Sequence, residues 1–477
     1  MTSLRQRMVE DTLLVVLLVF CGTLPSGHYV ADASTYYVDG TNGNDSWSGL
    51  LAAPNASNTD GPFKTLTKAQ SAMQGSATIK TATIRAGTYS IAGAIFAFSS
   101  SDNGETWVPY VGEQVTIDGG GTGYLMSQHV INLTIEGLTF QNMAGGFGPS
   151  GDLLLLGGSG YTIRWNTFLN CQGYCIRAQN LQSSLVDSNT FNGQSPGTNP
   201  MNRLPYKVLD FAFGSSNNRV SHNLIENAQG GGIDFERGVV DPPQRNNVID
   251  RNILENVNTN DHDMGAIYIT DPNNQSTGFQ ITNNQVFGNL GTDPTTDLIK
   301  AIYLDDAVSG ALVTGNICNE CGEWAIQYNG GANNTVKNNI FDLSSDTMLG
   351  LYQIQATTTC PPPPAPPSTR LCATNMAGNT FSNNIVYSQS EFPETFWNEF
   401  GSPPTQLADT TNLYYSENDS QIPNGQPIVD AHPKHGTPRF TDPGNNDYTI
   451  APTSPAYHKI NWQTLPTDQG PLANPFL

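Results

Sequence analysis

Six short runs of the chain carry acids and aromatic residues at matching positions. They are Cys175–Gln179, Val208–Ala212, Gly232–Glu236, Ala266–Thr270, Ala301–Asp305 and Ala325–Asn329. Each reads as a strand whose alternate residues face opposite ways. Aligned on inward-pointing Ile176, Leu209, Ile233, Ile267, Ile302 and Ile326, one outward column is Arg177, Asp210, Asp234, Tyr268, Tyr303, Gln327. The next is Gln179, Ala212, Glu236, Thr270, Asp305, Asn329, and adjoining loops add Arg237, Asp261, His262, Asp263, Asp306 and Glu323. Carboxyl groups about 5 to 9.5 Å apart can share the work of cleaving a glycosidic bond. One protonates the departing oxygen, and the other attacks or activates water. Strands stacked about 4.8 Å apart place Asp234 and Asp305, or Glu236 and Asp305, two coils and roughly 9.6 Å apart. Crowded acids raise one another's pKa, which keeps one of them protonated.

Asp305, Asp306, Asp234, Glu236 and Asp263 are therefore the candidate catalytic carboxylates. Tyr268 and Tyr303 are expected to offer sugar-stacking faces and hydroxyl donors. Arg177, Arg237, Asp210, Gln327 and Glu323 are candidate substrate-binding groups. Each acid also has a plain structural role open to it: Asp210 and Asp234 can pair with Arg177 or Arg237, and Asp305-Asp306 can shape a turn.

The elements that must position these residues repeat. The frame apolar-x-x-Asn-x-apolar occurs with Asn166, Asn189, Asn223, Asn252, Asn284, Asn316, Asn339 and Asn384. A unit of this length cannot bury its apolar face alone, so the coils must stack as a solenoid. Asn suits the repeated position because it tolerates tight turns and its amide can bond its equivalent one coil away.

Composition agrees. The 477 residues include 47 Gly and 31 Pro, only 13% are charged, and the formal charge is -21. Such an acidic surface argues against nucleic acid as a partner. It also repels an acidic polysaccharide unless a cation or basic patch intervenes.

Tyr36-Tyr37-Val38-Asp39 and Gly61-Pro62-Phe63-Lys64-Thr65-Leu66 open the chain after residue 33. Together with the coils, they resemble the secreted right-handed parallel β-helix proteins of the pectate-lyase-like superfamily. The resemblance implies an all-β fold: a right-handed parallel β-helix solenoid with an N-terminal helix cap and an irregular C-terminal tail. The superfamily holds glycoside hydrolases, polysaccharide lyases, uronan epimerases and non-catalytic adhesins, so the fold does not choose among them. The outward columns hold one Arg, no Lys and four carboxylates. That favours a glycoside hydrolase acting on a poly- or oligosaccharide. The alternatives are a lyase or epimerase, whose usual Lys or Arg base has candidates in Lys300 and Arg237 near the cleft, or a carbohydrate-binding surface protein. No cofactor is required, although the acidic loops could bind calcium.

Arg5 and Arg7 precede the apolar run Leu13–Phe20, and Ala31-Asp32-Ala33 offers a cleavage site. This predicts a signal peptide over 1–33, an exported protein and no membrane span. A cap over 34–80, the β-helix over 81–390 and a tail over 391–477 covering the solenoid end complete the expected layout. In an exported chain Cys171 and Cys175, Cys318 and Cys321, and Cys360 and Cys372 favour disulfides or buried thiols over a metal site.

Overall fold

The computed structural model describes residues 34–143, 151–195, 207–238, 240–273, 276–289, 298–344, 348–353, 378–392, 397–400, 407–408, 410–418 and 432–477, with single residues 291 and 430. The export segment, Cys360, Cys372 and the proline-rich run between them lie outside these residues. Within them the chain winds through three parallel sheets, of 13, 11 and 13 strands. They are named here in the order each coil enters them. Sheet A contains Thr162–Arg164, sheet B contains Thr167–Gln172 and sheet C contains Tyr174–Gln179.

The frame's first apolar position forms one buried column in sheet A. Ile163 pairs with Val186, Val186 with Val220, Val220 with Ile249, and so on to Phe381. Apolar side chains of all three sheets meet in one continuous core. Like residues stack from coil to coil: the Phe140, Phe168 and Phe191 ring centroids are 4.9 and 4.8 Å apart.

The repeated Asn sits at the corner between sheets A and B. Asn189 donates its backbone N–H to Asn223 Oδ1 at 3.0 Å and its Nδ2 to Ile163 O at 2.9 Å. The same bonding links Asn166 through Asn384 and runs on to Asn412. The tight turn itself is made one residue earlier. Trp165, Ser188, His222, Arg251, Asn283, Gly315, Asn338 and Asn383 all have φ between 50° and 74°. Turn strain and amide bonding are thus divided between neighbours, so the residue before Asn varies while Asn does not. A second ladder, unread in the sequence, joins Ser184 to Asn218, Asn218 to Asn247, and Asn334 to Asn379.

The helix Leu66–Gly75 closes the N-terminal end. Thr65 caps it by accepting the Lys68 N–H, and Leu66, Ala69 and Met73 are buried against the first coils. The C-terminal tail was expected over the opposite end. Instead, residues 440–477 return along the flank. Tyr448 donates to Asp342 at 2.6 Å, Gln463 N bonds Asn338, Gly470 N bonds Arg251 O, and Gly112 N bonds Phe476 O. The physical reason is an apolar seam on the outside of sheet B, where Ile317, Ile340, Ile385 and Leu413 pack against Tyr448, Ile460 and Trp462. Cys171–Cys175 and Cys318–Cys321 are disulfides. No helix among the described residues is long and apolar enough to cross a membrane.

Candidate functional site

Sheet C carries the acids. Its register places Arg177 beside Asp210, then Asp234, Tyr268, Tyr303 and Gln327 on successive coils. Ala212 pairs with Glu236, and Thr270 pairs with Asp305. The alternation of apolar and polar residues therefore yields both columns. Asp305 lies two residues further along its strand than the Asp234 column. The two backbones are thus offset by roughly 6.6 Å along the strand as well as two coils across it.

A third set was legible only in part: the sequence puts Lys300 near the cleft, but neither it nor Lys207 on the face. Strict alternation from Ile302 would turn Ala301 outward and Lys300 inward. Instead Cys175, Val208, Ala266, Ala301 and Ala325 all lie in the core beside their inward neighbours. Val208 O accepts both Cys175 N, at 2.9 Å, and Ile176 N, at 3.1 Å, the two-against-one pairing of a bulge where the chain turns into the sheet. The residue before each core position consequently emerges on the face: Tyr174, Lys207, Lys300 and Trp324. Two lysines thus belong to the site, and the inference from a lysine-free face does not stand. The available signal was that Lys207 and Lys300 each sit one residue before an aligned run.

Every cation described on this face meets a carboxylate. Arg177 Nε is 3.1 Å from Asp210 Oδ2, and its guanidinium lies over the Tyr174 ring. Lys207 Nζ is 2.9 Å from buried Asp261. Arg237 is buried against Asp271 and donates to Asp241 O, so it is engaged internally rather than turned to a ligand. Lys300 Nζ meets Asp263 Oδ1. The lysine side chain is 1% exposed and the aspartate side chain 54%.

Asp305 is the most firmly held acid. Tyr268 donates its hydroxyl to Oδ2 at 2.6 Å, and the Asp306 N–H donates to Oδ1 at 2.7 Å. Asn329 Nδ2 also donates to Oδ1. Asp305 is half-buried, as is Asp306, whose φ of 50° turns the chain away from the sheet. Tyr303 does not offer the expected stacking face. It is 2% exposed, with Lys300 Nζ 4.2 Å from its ring centre and the Tyr268 ring 5.2 Å away. Gln327 is buried too.

Burial and charge set the acid–base properties. Asp234 is 1% exposed and its Oδ1 has no hydrogen-bond partner among the described residues. Burial, reinforced by Glu236 and Asp210, raises its pKa well above the usual range. Burial pushes Asp210 up to about 7 against the pull of Arg177. Glu323 is half-buried, and burial raises it while Lys300 draws it back. Burial lowers Lys300, against the opposing pull of Asp263, Asp305 and Glu323. Lys300 thus pairs with Asp263 and feels the charges of Asp305 and Glu323; of the three acids Asp263 is the most open. Glu236 is exposed at the adjoining strand end. Among the described residues no group of three or more His, Cys, Asp or Glu side chains is placed to hold a metal ion.

Comparison with known proteins agrees on architecture. Residues 113–293 match the family described as "Right handed beta helix region". No curated protein matches the chain. Among solved structures, the complex of XylC with xylose superposes with a TM-score of 0.51 at 10% identity, over 92% of this chain and 94% of that one. The PL6 family alginate lyase AlyGC gives a TM-score of 0.43 at 13% identity, over 83% of this chain and 55% of that one. The catalytic domain of a GH87 alpha-1,3-glucanase in complex with tetrasaccharides gives 0.42 at 12% identity, over 76% and 67%. The chain is a right-handed parallel β-helix protein.

Proposed function

We propose that the protein is an exported carbohydrate-active enzyme that hydrolyses glycosidic bonds on the outer face of sheet C. The observation that carries this reading is the arrangement around Lys300. Asp305 is fixed by Tyr268, Asn329 and a backbone N–H, Glu323 is raised by burial, and the charge of buried Lys300 acts on both. Among the acids of this face, Asp210, Asp234, Asp271 and Glu323 have raised pKa values. Only Glu323 of these is half-open to solvent. It is therefore the better general acid, donating its proton to the departing sugar oxygen. Asp305 acts from the facing side, as nucleophile or as base toward water. Lys300 holds Asp263 and balances the acids, and Tyr268 keeps Asp305 aimed. Asp234 and Asp210 support the site from beneath.

A second reading rests on Lys300 itself. A buried lysine with lowered pKa beside Tyr303 could abstract a proton α to a uronate carboxyl, as a polysaccharide lyase requires. Purified protein incubated with a polysaccharide panel distinguishes the two. Reducing ends without absorbance at 235 nm support hydrolysis; absorbance rising with the reducing ends supports elimination. Absence of both defeats an enzymatic role. Export is supported by the two disulfides, which persist in oxidising compartments.

A further inference from the structure

The charge balance of the face selects a class of sugar. Each of the four cations described on it is already held by a carboxylate. Four further acids, Asp234, Glu236, Asp305 and Glu323, stand on the same coils with no ion pair among the described residues; Glu323 is the proton donor and Asp234 is buried, so the surplus negative charge rests on Glu236 and Asp305. Hydrogen bonds to Asp305 come from neutral donors: a tyrosine hydroxyl, an amide and a backbone N–H. The surrounding protein carries a formal charge of -21. A sugar carboxylate brought here would lose water, face surplus negative charge and find each described cation occupied.

We infer that the sheet C face takes a neutral glycan, built of unmodified hexoses or pentoses, and discriminates against uronate polymers. This rests on the carbohydrate-cleaving function proposed above and adds the charge class of the substrate. Sugar hydroxyls are suited to such a surface because they donate to the surplus carboxylates, the common means of holding an uncharged sugar in an acidic cleft. Access to the face then depends on hydrogen bonding rather than on charge pairing, so added salt should disturb it little.

The test compares the full chain on neutral glucans, mannans, xylans and arabinans with its action on polygalacturonate and alginate. Each is measured at low ionic strength, with and without calcium chloride. Binding to the same polymers is read by affinity electrophoresis in parallel. Expected is release of saturated reducing ends from at least one neutral polymer, with uronate polymers cleaved at least tenfold more slowly. Electrostatic focusing by a cleft changes encounter rates by about this factor or more. Uronate polymers cleaved as fast as neutral ones, with or without calcium, overturn the inference while leaving carbohydrate cleavage intact. If no polymer is cleaved, the proposed function fails, and binding then decides the charge class alone. Retardation by neutral polymers only supports it; retardation by uronate polymers, or by none, overturns it.

Discussion

Tyr268 stands in strand register with Asp234 on the preceding coil and donates its hydroxyl to Asp305, at 2.6 Å, on the following one. One side chain thus links the buried acid layer to the half-open acid, and burial with both charges raises the Tyr268 pKa. The phenol therefore stays a donor throughout the working pH range. Asp305→Asn keeps the shape and removes the reactive oxygen. Turnover should fall about a hundredfold or more with an unchanged circular dichroism spectrum. Tyr268→Phe removes only the aiming bond, and a loss of about tenfold is expected, comparable to one hydrogen bond to a charged group. Near-normal activity of a folded Asp305→Asn protein would place the chemistry elsewhere.

Glu323 should set the alkaline limb of the pH profile. A general acid works only while protonated, and burial raises this group, so activity should persist above the usual carboxylate range and decline through its titration. Lys300 favours the ionised form of Glu323. Lys300→Met should therefore move the limb to higher pH, and Glu323→Gln should abolish it along with most turnover. A limb that ignores both substitutions would exclude Glu323 as the acid.

The corner ladder makes a stability prediction. Asn252 Oδ1 accepts Asn223 N at 3.0 Å and Nδ2 at 2.9 Å, and its own Nδ2 donates to Val220 O at 3.0 Å. Asn252→Ala strands these buried groups at a cost of about 1–3 kcal/mol for each one left unsatisfied. Urea unfolding should show the loss as a lower midpoint. By contrast, Arg251→Ala, one residue away, takes a partly exposed guanidinium from exposed Asp468 and from buried Asp250, which keeps Arg219, Thr282 and Asn283, and should cost about 1 kcal/mol or less. Equal losses would mean that the ladder is not the dominant corner interaction.

Much of this architecture is legible in the residues, for physical reasons that differ by region. The Asn166-to-Asn384 frame shows because the amide must recur wherever buried corner N–H groups need the same acceptor. The columns ending in Gln327 and Asn329 show because alternation is strict inside a strand. Lys300 is legible as lying near the cleft, but its place on the face, and that of Lys207, escape because a bulge at the corner puts two consecutive residues in the core, and alternation carries no record of that. The second ladder is hidden where Ser184 replaces its Asn. The tail's path is set by contacts such as Tyr448 with Asp342, which lie 106 residues apart in sequence and have no local signature. Accessibility is equally nonlocal: Tyr303 looks outward by parity, yet Lys300 and Tyr268 cover it.

Asp234 yields the last prediction, in which function and stability oppose one another. Burial and neighbouring Asp210 and Glu236 raise its folded pKa well above the unfolded value. A folded state that binds a proton more tightly than the unfolded chain is most stable at low pH. Its advantage is lost as pH rises from about 3.9, the unfolded carboxyl value, through the raised folded pKa. The slope contributed by one such group is at most about 1.4 kcal/mol per pH unit. Asp234→Asn has nearly the same shape and no charge to bury, so the variant should be more stable than the parent at pH 7. The gap should close as pH falls toward 4. Denaturation midpoints of both proteins at several pH values measure it. Identical midpoints at pH 7 would show that the Asp234 carboxyl is solvated or paired in solution. A stabilised variant that has also lost activity would mean the cost of keeping this acid buried is retained for the reaction.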